Sequence, residues 1–188
     1  PKQARGIDAQ IELAPASRRF VVVPKAVHIS LAKKARIIPA MQAQSFFIRV
    51  CTWDEARPEA RRIRELVFVL EQSVPLALEW DEEDPRCNHA LAHAADGVAV
   101  GTGRLLPDGH IGRMAVLKGW RGKGVGALLL QALMEQARQR GHTRVRLNAQ
   151  TYAAGFYRRY GFDVSGPEFI EAGIPHVPME RDLVTAPG

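Results

Sequence analysis

Apolar and polar positions alternate with a period of two along several short stretches of the chain, a pattern typical of strands with one buried face. Strands are therefore predicted at 46–50, 90–94, 98–106, 110–116, 144–149 and 176–182. Asp96-Gly97 and Asp108-Gly109 follow the second and third of these stretches, and Asp-Gly pairs favour tight turns. The second, third and fourth strands are thus expected to form an antiparallel meander.

Apolar positions recur with helical spacing in two longer stretches. Residues 59–70 place four apolar side chains on one predicted face: Ile63, Leu66, Val67 and Leu70. Residues 124–140 carry a longer apolar stripe and end with arginines and then Gly141, as helix C-termini often do. A short helix is predicted at 153–160. A meander followed by a strand, helix and strand indicates an α+β or mixed α/β fold.

The net charge of +6 is concentrated at the start of the chain. Residues 1–40 hold eight Lys and Arg against Asp8 and Glu12, whereas residues 41–188 hold 18 basic and 18 acidic residues. We therefore divide the chain into a basic extension, 1–40, and one compact domain, 41–188. Residues 19–29 are rich in β-formers and, in a genuine extension, could pair with a sheet edge; an over-extended start codon or an added sequence is the alternative explanation of this segment. A nucleic-acid partner would have to bind the extension alone, which argues against this class for the domain.

The sequence gives little support for a metal site, a disulfide framework or a membrane-spanning segment. Cys51 and Cys87 lack the spacing of a zinc site or disulfide framework, and no motif supplies a base to activate either thiol. His89 and His93 stand four apart on a predicted strand, so they do not share a helical face as zinc ligands do. No apolar run reaches the roughly 18 residues that span a bilayer. We expect a soluble, cytoplasmic protein with no metal site.

A glycine-rich loop at 120–127 (WRGKGVGA) lies between a predicted strand and the long helix. Its alternate glycines let the backbone approach a ligand, and the helix N-terminus favours a phosphate group. Arg121 and Lys123 add donors, although an ordinary tight turn is the alternative. A Rossmann loop is disfavoured because Arg144 and Arg146 stand where its acidic residue is required. The Gly-Lys-Ser/Thr ending of a nucleotide triphosphate loop is absent as well.

Two motifs resemble signatures of the GNAT superfamily of N-acetyltransferases. Residues 121–126 resemble its acetyl-CoA loop, Gln/Arg-x-x-Gly-x-Gly/Ala, and residues 156–162 resemble its second signature, Phe-Tyr-x-x-x-Gly-Phe. The motifs lie about 30 residues apart, in the order the family requires. A narrower resemblance to the ElaA/YjcF-like branch rests on residues 67–72 with Glu79, Asp81, Asp84 and His89. Together the similarities span residues 46–183.

The resemblance implies a mixed, mostly antiparallel central sheet, flanked by helices and splayed at the acetyl-CoA site. It implies that loop amides bind the CoA pyrophosphate and that the preceding strand binds the pantetheine arm. The expected cofactor-binding residues are Met114, Ala115, Val116, Arg121, Gly122, Lys123, Gly124, Val125, Gly126, Ala127, Asn148 and Tyr157. The amide of Val116 is expected to hold the thioester oxygen. Hydrogen bonding at a strand end explains Asn148 and Gln150 equally well.

The resemblance also nominates catalytic residues. Tyr157 is expected to protonate the departing thiolate, since an ordinary tyrosine pKa of about 10 keeps its proton on at neutral pH. Packing in an aromatic core is the alternative for this side chain. Glu71 and Glu79 are candidate general bases because the narrower resemblance covers them. They belong to six acidic residues within 71–84, a stretch that is either an amine-attracting site or a solvated loop.

The expected function is direct transfer of an acetyl group from acetyl-CoA to a small acceptor, a primary amine, in a ternary complex. The alternative is a non-catalytic domain that binds or senses CoA. The sequence leaves open the identity of the acceptor, the acyl chain and the oligomeric state, a homodimer included.

Overall fold

The structure is a computed structural model that describes residues 20–21 and 46–183 of the 188 residues. The strands are β1 (Phe20–Val21), β2 (Phe46–Cys51), β3 (Asn88–Ala94), β4 (Ala99–Leu105), β5 (Ile111–Val116), β6 (Arg144–Gln150), β7 (Asp163–Val164), β8 (Phe169–Glu171) and β9 (Ile174–Asp182). The helices are α1 (Trp53–Arg64), α2 (Leu76–Glu79), α3 (Val125–Gln139) and α4 (Ala154–Arg158), and a π-helical segment, Glu65–Glu71, continues α1. Short 3₁₀ turns lie at Asp84–Arg86, Lys118–Trp120 and Thr151–Ala153.

The strands form two antiparallel sheets that meet at one point. The first sheet has the order β1-β2-β3-β4-β5, and the second has β6-β9-β7 with β8 also paired to β9. Within the described residues, β5 and β6 are linked by one parallel bridge between His110 and Arg146. Beyond that bridge the two strands run the same way without pairing, up to Val116 and Gln150. The mostly antiparallel, splayed sheet expected from the resemblance is therefore confirmed.

Helices cover both faces of the first sheet. The main core joins α3 to both sheets and includes Leu129 and Leu133 of the helix, Leu105 of β4 and Leu147 of β6. A smaller cluster packs α1 against β2 and β3. At Gly103 a Cβ would lie only 2.5 Å from the Met114 sulfur and 3.0 Å from Leu133, so the glycine allows close packing. One edge of β5 is thus paired with β4, and its other edge, toward β6, is open.

The ends of α3 follow from its sequence. Gly141 has φ +83°, and its N–H donates to the Arg138 carbonyl at 2.9 Å. The His142 N–H donates to the Ala137 carbonyl at 3.0 Å, which completes a Schellman cap. The six predicted strands and the helix at 124–140 are confirmed to within two residues.

The first helix differs from its prediction. It begins at Trp53 rather than at residue 59. At this N-terminus the Glu55 carboxylate accepts a hydrogen bond from the Thr52 N–H. Ile63 and Val67 are buried as predicted, but the remaining two members of the predicted face, Leu66 and Leu70, are 39% and 69% exposed. The π-helical segment explains this error, because its wider turn shifts residues away from the face that 3.6-residue spacing predicts.

The predicted edge strand at 19–29 is described only at its two residues 20 and 21. These pair antiparallel with Arg49 and Ile48, at the edge of the sheet farthest from β5. The rest of that prediction and the proposed boundary at residues 40–41 lie outside the described residues. Among the helices of the described part, none has the length and apolar character that a membrane crossing requires.

Candidate functional site

A cleft follows the splay between β5 and β6 and consists of two joined cavities. The first, here called the large cavity, has a volume of about 860 Å³ and lies between the π-helical segment, β5, β6 and the β8–β9 hairpin. The second, here called the loop cavity, has about 450 Å³ and lies between the glycine loop and α4. Five residues line both cavities: Met114, Val116, Arg121, Ala153 and Tyr157. The cleft is therefore continuous from the glycine loop to the hairpin.

The glycine loop forms one wall of the loop cavity. Gly122, Gly124, Gly126 and Ala127 line it. Gly124 has φ +89° and caps the N-terminus of α3, a backbone conformation that other residues rarely adopt. The first N–H groups of a helix have no partner within the helix, so the 15-residue α3 presents donors and a partial positive charge here. Such a wall suits a phosphate group.

A bulge in β5 turns its backbone toward the cleft. Thr102 pairs with Ala115 and Arg104 with Gly112, so two residues of β5 stand opposite Gly103. One of the two, Arg113, has φ +51°. Bulges of this kind bend the strand and increase its twist. Met114, Ala115 and Val116, which follow or belong to this bulge, all line the large cavity.

Val116 directs its backbone groups away from β4. The Leu117 N–H donates to the Val100 carbonyl at 2.9 Å, which makes those two residues a hydrogen-bonded pair. Adjacent pairs alternate in an antiparallel ladder, so the N–H and C=O of Val116 point to the open side of β5. The carbonyl accepts a hydrogen bond from Arg121 Nε at 2.8 Å. The Val116 N–H faces the cleft.

Arg121 links the glycine loop to the π-helical segment. Its Nη1 and Nη2 donate to the two carboxylate oxygens of Glu71 at 2.5 and 2.8 Å. The hydrogen bond from Arg121 holds the pKa of Glu71 below its usual range. Glu71 lines neither cavity, whereas Arg121 lines both. The structure thus joins a residue predicted to bind the cofactor with one predicted to act as a base.

Glu79 lies at the wall of the large cavity with 2% of its surface exposed. Its Oε1 accepts a hydrogen bond from Arg64 Nε at 2.5 Å and lies 3.7 Å from Arg113 Nε. Burial raises the pKa of Glu79, against the opposing charge of Arg64. Whether Glu79 or Glu71 acts as a base stays a prediction, but each carboxylate is bound to an arginine.

The rest of the acidic stretch is also organised by arginines. Asp84, 2% exposed, accepts hydrogen bonds from Arg64 at 2.8 Å and from Arg104 at 2.7 Å. Asp81 binds Arg104 at 2.6 Å and Arg113 at 3.1 Å. Burial opposes ionisation of Asp81, yet its hydrogen bond to Arg104 and the charges of both arginines hold its pKa at about 2. The sequence left open that the acidic stretch is a solvated loop. For Asp84, which is buried, this interpretation is wrong.

Tyr157 lies where the two cavities join. Its ring is 5.0 Å from that of Phe156 and 6.0 Å from that of Phe162, so it also belongs to an aromatic cluster. The position of Tyr157 is thus compatible both with a catalytic role and with packing in an aromatic core. Burial raises the pKa of Tyr157 to about 12, and the hydroxyl keeps its proton throughout the neutral range.

One face of β6 and β9 forms the floor of the large cavity. Asn148 and Gln150 of β6 line it together with His176 of β9. Gln150 exchanges hydrogen bonds with Gln72, at 2.9 and 3.3 Å, and Gln72 also donates to the Tyr152 hydroxyl at 3.3 Å. These amides connect the end of the π-helical segment to β6 across the cleft.

Two predicted cofactor residues have side chains elsewhere. Val125 is buried in the core beneath α3. The ammonium group of Lys123 lies 5.2 Å from the centre of the Trp120 ring. The sequence reasoning missed the positions of Arg104, Arg113 and His176 on the wall of the large cavity. Only the tertiary fold brings these residues to one wall, and Arg113 also lies in the β-bulge, where the alternation is broken.

Comparison with known proteins gives consistent results. Residues 61–183 match the model of a protein family described as the acetyltransferase (GNAT) domain. YjcF, an uncharacterized N-acetyltransferase of Bacillus subtilis, is 40% identical over 133 residues, which cover 69% of this chain and 94% of that protein. A crystal structure of an acyl-CoA N-acyltransferase from Pseudomonas aeruginosa is 30% identical, with a TM-score of 0.66, and covers 73% of this chain and 99% of its own.

The crystal structure of Escherichia coli ElaA is 26% identical, with a TM-score of 0.66, and the match covers 73% of this chain and 100% of that one. The resemblance inferred from the two motifs and from the narrower set of residues is therefore confirmed.

Proposed function

Because the chain belongs to the GNAT acetyltransferase family, we propose that it transfers an acetyl group from acetyl-CoA to a small primary amine, by direct attack in a ternary complex. The observation that carries this proposal is the continuous cleft, in which Tyr157 stands between the glycine loop and the large cavity. A donor bound at the loop and an acceptor bound in the large cavity would meet at that residue.

The donor fits the chemistry of the loop and of β5. The N–H groups of residues 122–127 would hold the pyrophosphate in the loop cavity, beside Arg121, whose charge is shared with Glu71. The open edge of β5 would pair with the pantetheine arm, much as an added strand pairs with a sheet edge. Lys123 and Val125 would contribute backbone groups only, and Asn148 would contact the arm from β6. This path brings the thioester to the junction of the cavities.

The chain then supplies two groups to the reaction. The Val116 N–H, which faces the cleft, would donate to the thioester oxygen as negative charge develops on it. Tyr157 would protonate the sulfur as the carbon–sulfur bond breaks, because its hydroxyl, with a pKa raised to about 12, still carries its proton at neutral pH. The acceptor nitrogen would attack from the large cavity.

Release of free CoA thiol from acetyl-CoA with a panel of primary amines tests this function. Wild-type protein is expected to release thiol with at least one amine, and Tyr157→Phe to lower the rate by about 10²- to 10⁴-fold. Tyr160→Phe is the matched control, because Tyr160 packs on Phe156 at 5.1 Å and lines the loop cavity away from the junction.

The non-catalytic alternative gives a different result. A domain that only binds or senses CoA is expected to gain thermal stability with acetyl-CoA but to release no thiol with any amine. If saturating acetyl-CoA leaves the melting temperature unchanged, the donor site itself is wrong.

A further inference from the structure

Attack by an amine requires a proton acceptor on the wall of the large cavity. Three of the carboxylates that line it already bind arginines at short distance. Arg64 holds Glu79 at 2.5 Å, and Arg104 holds Asp81 at 2.6 Å. Asp108 is bound by Arg146 at 2.7 Å. Each of these carboxylates is therefore already hydrogen-bonded to an arginine, although burial raises the pKa of Glu79.

His176 lies on the same wall and belongs to β9. It stands directly opposite Gln150 in the antiparallel register, and residues opposite each other share one face of a sheet. Both line the large cavity. The imidazole ring is largely buried and stacks on the ring of Phe169, with centroids 5.8 Å apart. Its orientation is therefore fixed by packing.

A hydrogen bond also fixes which ring nitrogen carries the proton. Nδ1 of His176 lies 2.8 Å from the carbonyl oxygen of Ile174. A carbonyl oxygen can only accept, so Nδ1 must donate and carries the hydrogen in the neutral ring. Nε2 is then left with a lone pair, as a general base requires. Tautomer and ring orientation together prepare His176 to take up a proton.

We propose that His176 accepts the proton from the acceptor amine; this assignment rests on the proposed function. The ammonium group of the acceptor gives one proton to Nε2, which leaves a neutral amine and an imidazolium. The amine nitrogen bonds to the thioester carbon, and the carbon–sulfur bond breaks with its electron pair on sulfur. Sulfur takes the Tyr157 proton, and the phenolate recovers a proton from the new amide nitrogen. The imidazolium finally releases its proton to water.

Several other titratable groups face this cavity from the elements packed around β9. They are Glu171 on β8, Asp108 and His110 before β5, and Tyr152 and Tyr157 after β6. Among them, His110 is the second imidazole, and burial lowers its pKa. A comparison of the two histidines is therefore the sharpest test.

The experiment measures kcat/KM against pH, from about pH 5.5 to about pH 9, with acetyl-CoA and a primary amine found active in the thiol assay. For the wild type, the rate is expected to fall toward acidic pH, as catalysis by a general base requires. His176→Gln, which keeps the size and polarity of the side chain, is expected to lose at least about 100-fold at neutral pH, and its remaining rate should rise with pH across the whole range because only the free amine can then react. His110→Gln is the matched control and is expected to keep the wild-type pH profile. Acetyl-CoA is expected to raise the melting temperature of all three proteins alike.

The outcomes separate this assignment from the function on which it rests. An active wild type, with a His176→Gln variant that stays within about threefold and retains the wild-type pH profile, overturns the role of His176 alone. A wild type that releases no thiol with any amine overturns the proposed function, and the assignment with it. Nitrogen-15 NMR of the imidazole provides a test that needs no variant: a neutral ring protonated on Nε2 rather than Nδ1 contradicts the proposal.

Discussion

At the residue scale, the buried side chain of Arg64 binds carboxylates of the acidic stretch at the wall of the cleft. Its side chain is 1% exposed and donates to Glu79 and Asp84. A further N–H donates to the Glu79 carbonyl at 2.7 Å, and the guanidinium lies 5.0 Å from the Trp80 ring. Charges at this depth are tolerated only when they are paired. Together with Arg104, which binds Asp81 and Asp84, Arg64 therefore holds residues 79–84 along the wall of the large cavity.

Replacing Arg64 by methionine should destabilise the protein strongly. The substitution keeps most of the side-chain volume but leaves Glu79 and Asp84 with weaker charge compensation in a buried position. The free energy of unfolding is expected to fall by about 3–5 kcal/mol, as measured by urea denaturation. Arg57→Met, on the exposed face of the same helix, is the control and is expected to stay within about 0.5 kcal/mol. A loss below about 1 kcal/mol for Arg64→Met would show that the cluster is open to water.

Single residues also show where sequence reasoning succeeds. Arg121, Gly124 and Tyr157 stand within local motifs, so their placement along the cleft followed from nearby sequence. Arg64 bonds to carboxylates 15 and 20 positions away, and only the tertiary fold brings them together. The orientation of His176 likewise depends on the Ile174 carbonyl and the Phe169 ring, which the period-two pattern of a strand does not reveal.

At the scale of elements, the loop and α3 act as one unit, and the π-helical segment as another. The first was predictable because its glycines, apolar stripe and C-terminal cap are all local signals. The second was not, because a π turn leaves no distinct mark in the apolar pattern. The segment nevertheless places Glu71 and Gln72 where they bind Arg121 and Gln150. The loop unit lines the loop cavity, and the π-helical segment lines the large cavity.

Two glycines of the loop unit provide a matched test of its backbone. Gly124 requires φ +89°, which costs an alanine about 1–2 kcal/mol. An alanine that leaves this conformation in the free protein must return to it when the loop amides bind the pyrophosphate, so we expect Gly124→Ala to weaken acetyl-CoA binding by about 5- to 30-fold in calorimetric titration. Gly126 has no positive φ, and a Cβ there would meet Phe156 at 3.7 Å, an ordinary contact. Gly126→Ala is expected to stay within about threefold.

The reverse order of effects would have a clear meaning. If Gly126→Ala weakens binding more than Gly124→Ala, free space in the loop cavity matters more than backbone conformation at the cap. The proposed contact between loop amides and the pyrophosphate would then need revision.

At the scale of the whole molecule, the two sheets meet at the His110–Arg146 bridge and separate along the cleft. The shared core beneath α3 packs against both sheets and holds them together. The fold class and this splay were predictable from element order and the two motifs. The extent of the large cavity was not, since it depends on the short strand β8 and on α2, for which the sequence carried no signal.

Deleting residues 1–40 tests which part of the chain carries the activity. Among the residues that the structure describes, those lining the two cavities fall between 67 and 176, and Phe20–Val21 pairs with β2, at the sheet edge remote from β5. The truncated chain is therefore expected to release thiol within about threefold of the full chain. Acetyl-CoA at about 100 times its Kd should still stabilise it by about 2.7 kcal/mol, measured as a rise in melting temperature. Loss of either response would place part of the donor or acceptor site in the extension, whereas loss of a salt-sensitive nucleic-acid interaction alone would assign the extension a separate role.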